Sequence, residues 1–113
     1  MRRLIFCSLM MAGGVGAASA AESPANGQAV YEHWCAPCHA PGPGHPGTQS
    51  LQLKYKGQLP AVLVDRTDLT PATVSTFVRQ GVLLMAPFRK TEITDAQLSA
   101  LSAYVGSNFK TAK

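Results

Sequence analysis

Cys35-Ala36-Pro37-Cys38-His39 is the stretch of this sequence that decides its fold. Two thiols separated by two residues can add across the two vinyl groups of a haem, and the histidine that follows directly can then reach the iron. The stretch therefore predicts one covalently bound haem c, with Cys35 and Cys38 as attachment points and His39 as an axial ligand of the iron. A zinc site or a redox dithiol is an alternative use of the same cysteines. Zinc, however, would need a second pair of ligands, and a dithiol would sit on a strand-helix unit that the sequence does not predict.

The first twenty residues have the form of a secretory signal peptide. Met1-Arg2-Arg3 is positively charged, residues 4–17 are almost wholly apolar or small, and Ala18-Ser19-Ala20 suits a signal peptidase. We therefore expect residues 1–20 to be a signal peptide cleaved near Ala20, and residues 21–113 to be one exported, periplasmic domain. Export also favours haem attachment, because free thiols in that compartment would otherwise be oxidised to a disulfide.

Composition argues against several classes of partner. Without Arg2 and Arg3 the Lys and Arg count falls from 10 to 8, against 6 acidic residues, so the mature net charge is about +2. Nucleic-acid binding needs a dense basic stripe, and we expect neither a nucleic-acid partner nor stable membrane insertion after cleavage. Large apolar side chains are few beside Ala, Gly and Pro, so we expect the haem to serve as the central hydrophobe of the fold.

Hydrophobic periodicity predicts an all-α fold of three to four helices, with long loops wrapped around the haem. The predicted helices run from about Ala25 to Trp34, from Pro71 for about ten residues, and from the capping box at Thr94 to about Gly106. Residues 40–47 are rich in proline and glycine and are predicted to be loop. Residues 51–55 alternate as a short strand would, and residues 59–64 favour a helical turn. We therefore expect the middle of the chain to be irregular with one short helix.

Met85 is the candidate for the second axial ligand of the iron. It is the one methionine of the mature chain, and it lies in a proline-bearing connection between the last two predicted helices. A His/Met pair raises the reduction potential of a haem and closes the iron to other ligands, which suits electron transfer. The alternative is that Met85 only fills the core.

Other side chains are weaker candidates near the haem. His33 and His45 could compete for the iron, but each is only six residues from His39, too short a segment to cross the haem plane. The backbone carbonyl of Pro46 is the predicted acceptor for the second ring nitrogen of His39. Tyr55 and Arg66 are candidates to hydrogen-bond the propionates or are surface residues. A set of basic residues forms either a rim around the haem edge or a solvated face; it comprises Lys54, Lys56, Arg89 and Lys90.

The order of these features resembles class I cytochrome c, the small monohaem family, over essentially the whole mature chain. The resemblance implies a small cytochrome c fold in residues 21–113. It also implies a packing contact in which Gly27 and Tyr31 of the first helix face Leu101 and Tyr104 of the last. The family often has proline directly after the methionine, whereas Ala86 intervenes here.

A narrower resemblance extends to the cytochrome subunits of flavoprotein dehydrogenases of the 4-cresol or eugenol hydroxylase type. It rests on three runs, Gly47-Thr48, Arg66 to Pro71 and Phe88 to Glu92. It implies redox protein partners, with a flavoprotein as electron donor, and a monomer or a small subunit of a hetero-complex. We therefore expect an electron carrier and not an enzyme. The alternative is a haem enzyme or gas-binding protein whose iron is five-coordinate.

Overall fold

The computed structural model describes residues 25–109, so the predicted signal peptide lies outside it. Five α-helices and two short 3-10 turns follow one another along the chain: α1 (Gly27–Trp34), α2 (Ala36–His39), α3 (Pro46–Tyr55), the turn Leu63–Asp65, α4 (Pro71–Gln80), α5 (Asp95–Val105) and the turn Gly106–Asn108. Between residues 25 and 109 the β-pairing is a single isolated bridge, Val82 with Met85. The predicted all-α class is confirmed, with more helices than the three to four expected.

Local capping sets where the long helices begin. The Asn26 side chain accepts hydrogen bonds from the amides of Gln28 and Ala29 at the start of α1. Thr70 caps α4 ahead of a proline in the first turn, and Thr94 forms a complete capping box with Gln97 at α5. These side chains satisfy amides that have no partner inside the helix, which is why the three starts could be predicted from sequence.

Helix α3 corrects the prediction for the middle of the chain. Residues 51–55 are helical and not a strand, and the helix begins at Pro46, inside the segment expected to be loop. Proline suits a first helical turn, because its missing N–H would have no helical partner there. The helix ends at Lys56, whose φ of 48° is left-handed. Only Thr48 of α3 is buried, so the sequence has little apolar periodicity from which this helix could have been predicted.

Helices α1 and α5 cross at Gly27. A Cβ atom there would lie 2.1 Å from the carbonyl oxygen of Ala100 and 2.8 Å from Cβ of Tyr104, so only glycine allows this approach. One turn further on, the rings of Tyr31 and Tyr104 pack at a centroid distance of 5.6 Å, and Leu101 is fully buried. The contact between the first and last helices is therefore as the family resemblance implied.

Helix α4 completes the core against α5. The hydroxyls of Ser75 and Ser102 are hydrogen-bonded at 2.8 Å across the two helices. Val74 and Val78 of α4 are buried, whereas Phe77 is 39% exposed. No helix in the described part of the chain is long and apolar enough to span a membrane.

Candidate functional site

The two cysteines lie at the join between α1 and α2. Cys35 continues α1 by donating its amide to the Tyr31 carbonyl at 2.8 Å, and its own carbonyl accepts from the His39 amide at 2.8 Å. The chain thus makes one tight turn that brings both cysteines and the histidine together. Both cysteines are free, with Cys35 buried in the core and Cys38 exposed.

Burial also sets the protonation of the first thiol. It raises the pKa of Cys35 to about 11, and the neighbouring Cys38 adds to the effect. Reactive dithiols need the opposite, a thiol whose pKa is lowered so that the thiolate forms near neutral pH. The redox-dithiol alternative is thus disfavoured. Among residues 25–109, no three side chains of His, Cys, Asp or Glu are grouped to hold a metal ion.

The imidazole of His39 is half-buried beside this turn. Burial lowers the pKa of His39, which favours the neutral ring that ligates iron. Its Nδ1 atom is buried and has no hydrogen-bond partner among the described residues, so the predicted bond to the Pro46 carbonyl is wrong. Pro46 is the first residue of α3, and its carbonyl therefore points along that helix, where it accepts from the Ser50 hydroxyl at 2.8 Å.

Three side chains hold backbone carbonyls of the attachment turn. The Tyr31 hydroxyl donates to the His39 carbonyl at 3.1 Å, and the buried Thr48 hydroxyl donates to the Ala40 carbonyl at 2.9 Å. Nδ1 of His45 lies 3.1 Å from the Pro37 carbonyl, which can only accept, so Nδ1 carries the proton. None of these three contacts was predicted from the sequence. Each joins residues eight positions apart, a spacing with no local sequence signal.

Met85 lies in a tightly folded connection between α4 and α5. Its amide and carbonyl exchange hydrogen bonds of 2.9 and 3.0 Å with Val82, forming a two-residue turn. The connection is tied to α4 by the Phe88 amide, which donates to the Val78 carbonyl at 2.8 Å. Met85 is half-buried and packs against the same hydrophobic cluster that contains Cys35.

Aromatic side chains link this connection to the attachment turn. Phe88 meets Trp34, the residue before Cys35, edge to face at a centroid distance of 5.6 Å. The turn before Met85 is exposed: Leu83, with a left-handed φ of 52°, is 95% exposed and Leu84 is 100% exposed. Sequence reasoning did not single out these two leucines.

The two competing histidines have other contacts. His33 is exposed on α1, and its ring packs edge to face against Trp34 at a centroid distance of 4.8 Å. His45 lies at the N-terminus of α3, where it makes the contact with Pro37 described above.

Tyr55 and Arg66, the propionate candidates, lie together. The Arg66 guanidinium is buried and sits 4.7 Å from the centre of the Tyr55 ring, and it forms a bidentate pair with Asp68. This guanidinium lowers the pKa of both Tyr55 and Asp68. The cluster offers a cation and a hydroxyl to an anion, but Asp68 already occupies one edge of the guanidinium.

The four basic residues do not form one free rim. Arg89 pairs with Glu92, and Lys90 pairs with Asp95 at 2.8 Å. The other two basic residues belong to α3 and its end. Nζ of Lys54 lies 5.2 Å from the centre of the Tyr55 ring, and Lys56 caps the C-terminus of the helix. Neutralisation by the two carboxylates favours the solvated-face alternative for Arg89 and Lys90.

The residues present fit a haem of the c type. Two free thiols lie one helical turn apart, a neutral imidazole follows them, and a thioether packs against the same core. Thiol addition at the vinyl groups with nitrogen and sulfur ligation of iron is the chemistry that this donor set supports.

Comparison with known proteins identifies the family. Residues 22–105 match the family described as cytochrome c oxidase, cbb3-type, subunit III. The chain belongs to this family. It is therefore a c-type cytochrome domain, for which haem c is the implied cofactor and electron transfer, not enzymatic catalysis, the implied role. That much of the predicted identity is confirmed, whereas the narrower likeness to subunits of 4-cresol hydroxylase-type dehydrogenases stays a prediction.

One solved structure is similar in fold to this chain. A mutant of the cytochrome OmcF is 19% identical, with a TM-score of 0.50, and the match covers 78% of this chain and 100% of that one. OmcF itself, outer membrane cytochrome F from Geobacter sulfurreducens, is 19% identical with a TM-score of 0.48, covering 75% of this chain and 100% of that one. No curated protein matches the sequence.

Proposed function

We propose that this chain is a periplasmic monohaem cytochrome that carries single electrons, with the haem bound covalently through Cys35 and Cys38 and the iron held between His39 and Met85. When bound, the haem supplies a metal centre that changes oxidation state by one electron. The protein's part is to fix both axial side chains, so that neither oxidation state needs a new ligand.

The observation that carries the proposal is the packing of the methionine connection against the attachment turn. Met85 and Cys35 share one hydrophobic cluster, and the Trp34–Phe88 ring pair joins the two segments. Met85 is also held by two backbone hydrogen bonds to Val82, which fix its place in the connection. These contacts support a thioether kept at a constant position relative to the histidine side of the site.

The axial role of Met85 is tested by the far-red sulfur-to-iron absorption band of the oxidised protein. We expect the band in the wild type and its loss in Met85→Ala. Leu84→Ala is the matched control, because the neighbouring leucine is fully exposed and its removal should leave the band unchanged. An intact band in Met85→Ala would contradict the assignment, as would carbon monoxide binding to the untreated ferrous wild type.

Covalent attachment has its own test. Haem staining of a denaturing gel should label the wild-type chain, because a thioether bond survives denaturation, and should not label the chain with both cysteines changed to alanine. A wild-type band without stain would exclude covalent haem. Intact-mass analysis of the same sample should give one haem on a chain beginning after Ala20, as export with signal cleavage requires.

We also propose that a redox protein partner, a flavoprotein dehydrogenase in keeping with the family resemblance, delivers the electrons. A tagged chain purified from its native host should then carry a flavin-containing protein. Addition of a 4-alkylphenol without oxygen should reduce the haem within that complex. A complex whose haem stays oxidised while its flavin is reduced would refute this donor.

A further inference from the structure

We propose that Gly47 and Thr48, in the first turn of α3, are positioning residues that hold the His39 imidazole in place as an axial ligand. The inference rests on the proposed ligation of iron by His39. It assigns the orientation of that ring to a steric seat on α3, which is the close approach of the Gly47 backbone to the ring.

The space beside the ring requires a glycine. A Cβ atom on Gly47 would lie 2.6 Å from Cε1 of His39, 2.8 Å from Nδ1 of the same ring and 2.8 Å from the Cys38 carbonyl oxygen. Backbone conformation gives no other reason for a glycine, since Gly47 lies within a helix and is not among the residues with positive φ. Glycine is unfavourable in a helix, and here it is explained by contact with the ring.

Thr48 holds the chain that leaves the ring. Its side chain is fully buried, and its hydroxyl donates to the Ala40 carbonyl at 2.9 Å, one residue beyond His39. The first turn of α3 therefore contacts the histidine at two points, the ring edge through Gly47 and the following peptide through Thr48. Both contacts depend on the position of a single rigid helical turn.

The usual way to fix a ligating histidine is absent from the described residues. Such a ring normally donates its second nitrogen to a carbonyl, carboxylate or water. Nδ1 of His39 is buried with no partner between residues 25 and 109, and the Gly47 backbone instead lies against that edge. Because the Gly47 backbone lies directly against the ring, a single added methyl group should be enough to move it.

The test measures ring orientation in the oxidised holoprotein by electron paramagnetic resonance, together with the hyperfine-shifted proton signals of the His39 ring. Gly47→Ala should shift the g-values and these proton signals and should change the midpoint potential. A smaller shift is expected for Thr48→Val, which removes the hydroxyl at constant volume, and wild-type spectra are expected for Thr48→Ser. One control should keep wild-type spectra: Gln49→Ala, on the exposed side of the same turn.

The outcomes separate this inference from the proposed function. A wild type without a low-spin His/Met spectrum would overturn the ligation itself. A wild-type His/Met spectrum that is unchanged in Gly47→Ala would overturn the steric seat alone. Should Gly47→Ala yield no holoprotein, Thr48→Val decides: shifted g-values restored by Thr48→Ser support the seat, and unchanged g-values refute it.

Discussion

Gly27→Ala should lower the free energy of unfolding by pushing α1 away from α5. The added Cβ would lie 2.1 Å from the Ala100 carbonyl oxygen, 2.7 Å from its carbon and 2.8 Å from Cβ of Tyr104, whereas ordinary van der Waals contact begins near 3.4 Å. None of these atoms is the end of a flexible side chain. Relief therefore requires the two helices to separate by about an ångström, because neither backbone can give way locally.

The cost follows from that separation. Overpacking a well-packed contact costs about 1–3 kcal/mol, and the Tyr31–Tyr104 pair one turn away adds its share when the rings part, about 0.5–1.5 kcal/mol. Alanine returns at most about 1 kcal/mol of helix propensity, and less in a first turn. The net loss is about 2 kcal/mol, which lowers the melting temperature of a domain of this size by roughly 8–16 °C.

Thermal unfolding of the holoprotein, followed by far-ultraviolet circular dichroism and calorimetry, measures this loss. Gln28→Ala is the control, because the next residue is exposed and its substitution should fall within about 0.5 kcal/mol of the wild type. A Gly27→Ala protein that melts at or above the wild-type temperature would show that the helices are not in contact at Gly27.

Three further predictions concern the acid limit, the cofactor and the methionine connection. Arg66 lowers the pKa of Asp68, so the pair stabilises the folded protein above about pH 4, and this contribution is lost as the pH falls through the lowered pKa. The melting temperature of Asp68→Asn should thus be below that of the wild type at pH 7, with the gap closing in acid; a constant gap would contradict the pairing. The double variant of Cys35 and Cys38 to alanine should lose helical circular dichroism, and a compact, helical, haem-free protein would refute the central role given to the cofactor. Phe88→Ala should lose the far-red band at a lower temperature than the wild type, and equal loss curves would count against the ring pair.

The parts of the fold that could be predicted are those with local causes. Asn26, Thr70 and Thr94 begin helices through bonds to amides two or three residues away, so the sequence carries the whole signal. Helix α3 could not be found in this way, because only Thr48 among its residues is buried. Its stability comes from packing beside the attachment turn, which periodicity does not report.

The candidate site also has a part with local causes, which could be predicted, and a part that depends on packing, which could not. Spacing alone suggested Cys35, Cys38 and His39, since their chemistry requires adjacent residues, and Met85 followed from being the one methionine left after export. The contacts that fix the turn depend instead on how α1 and α3 fold back on it. The Pro46 prediction failed for this reason: the helix that begins there turns the carbonyl along its own axis.

The glycines show which close contacts around the site could not be predicted from the sequence. Gly42, Gly44, Gly57 and Gly81 have positive φ, and turn chemistry accounts for them. Gly27 and Gly47 lie in the first turns of helices, where glycine weakens the helix. The family resemblance implied a packing reason for Gly27, but the sequence offered none for Gly47. In the structure Gly27 brings α1 onto α5, and Gly47 brings α3 onto His39.

These two close approaches flank the attachment turn. Helix α1 runs directly into Cys35, so its contact with α5 fixes the turn from the N-terminal side, while α3 holds the His39 side. A methyl group at either glycine should therefore have different consequences. At Gly27 it separates two helices and lowers the melting temperature, whereas at Gly47 it meets a ligand ring and alters the spectrum. Measuring both properties on both variants tests whether the fold and the iron site are stabilised by separate contacts, because a single shared cause would move them together.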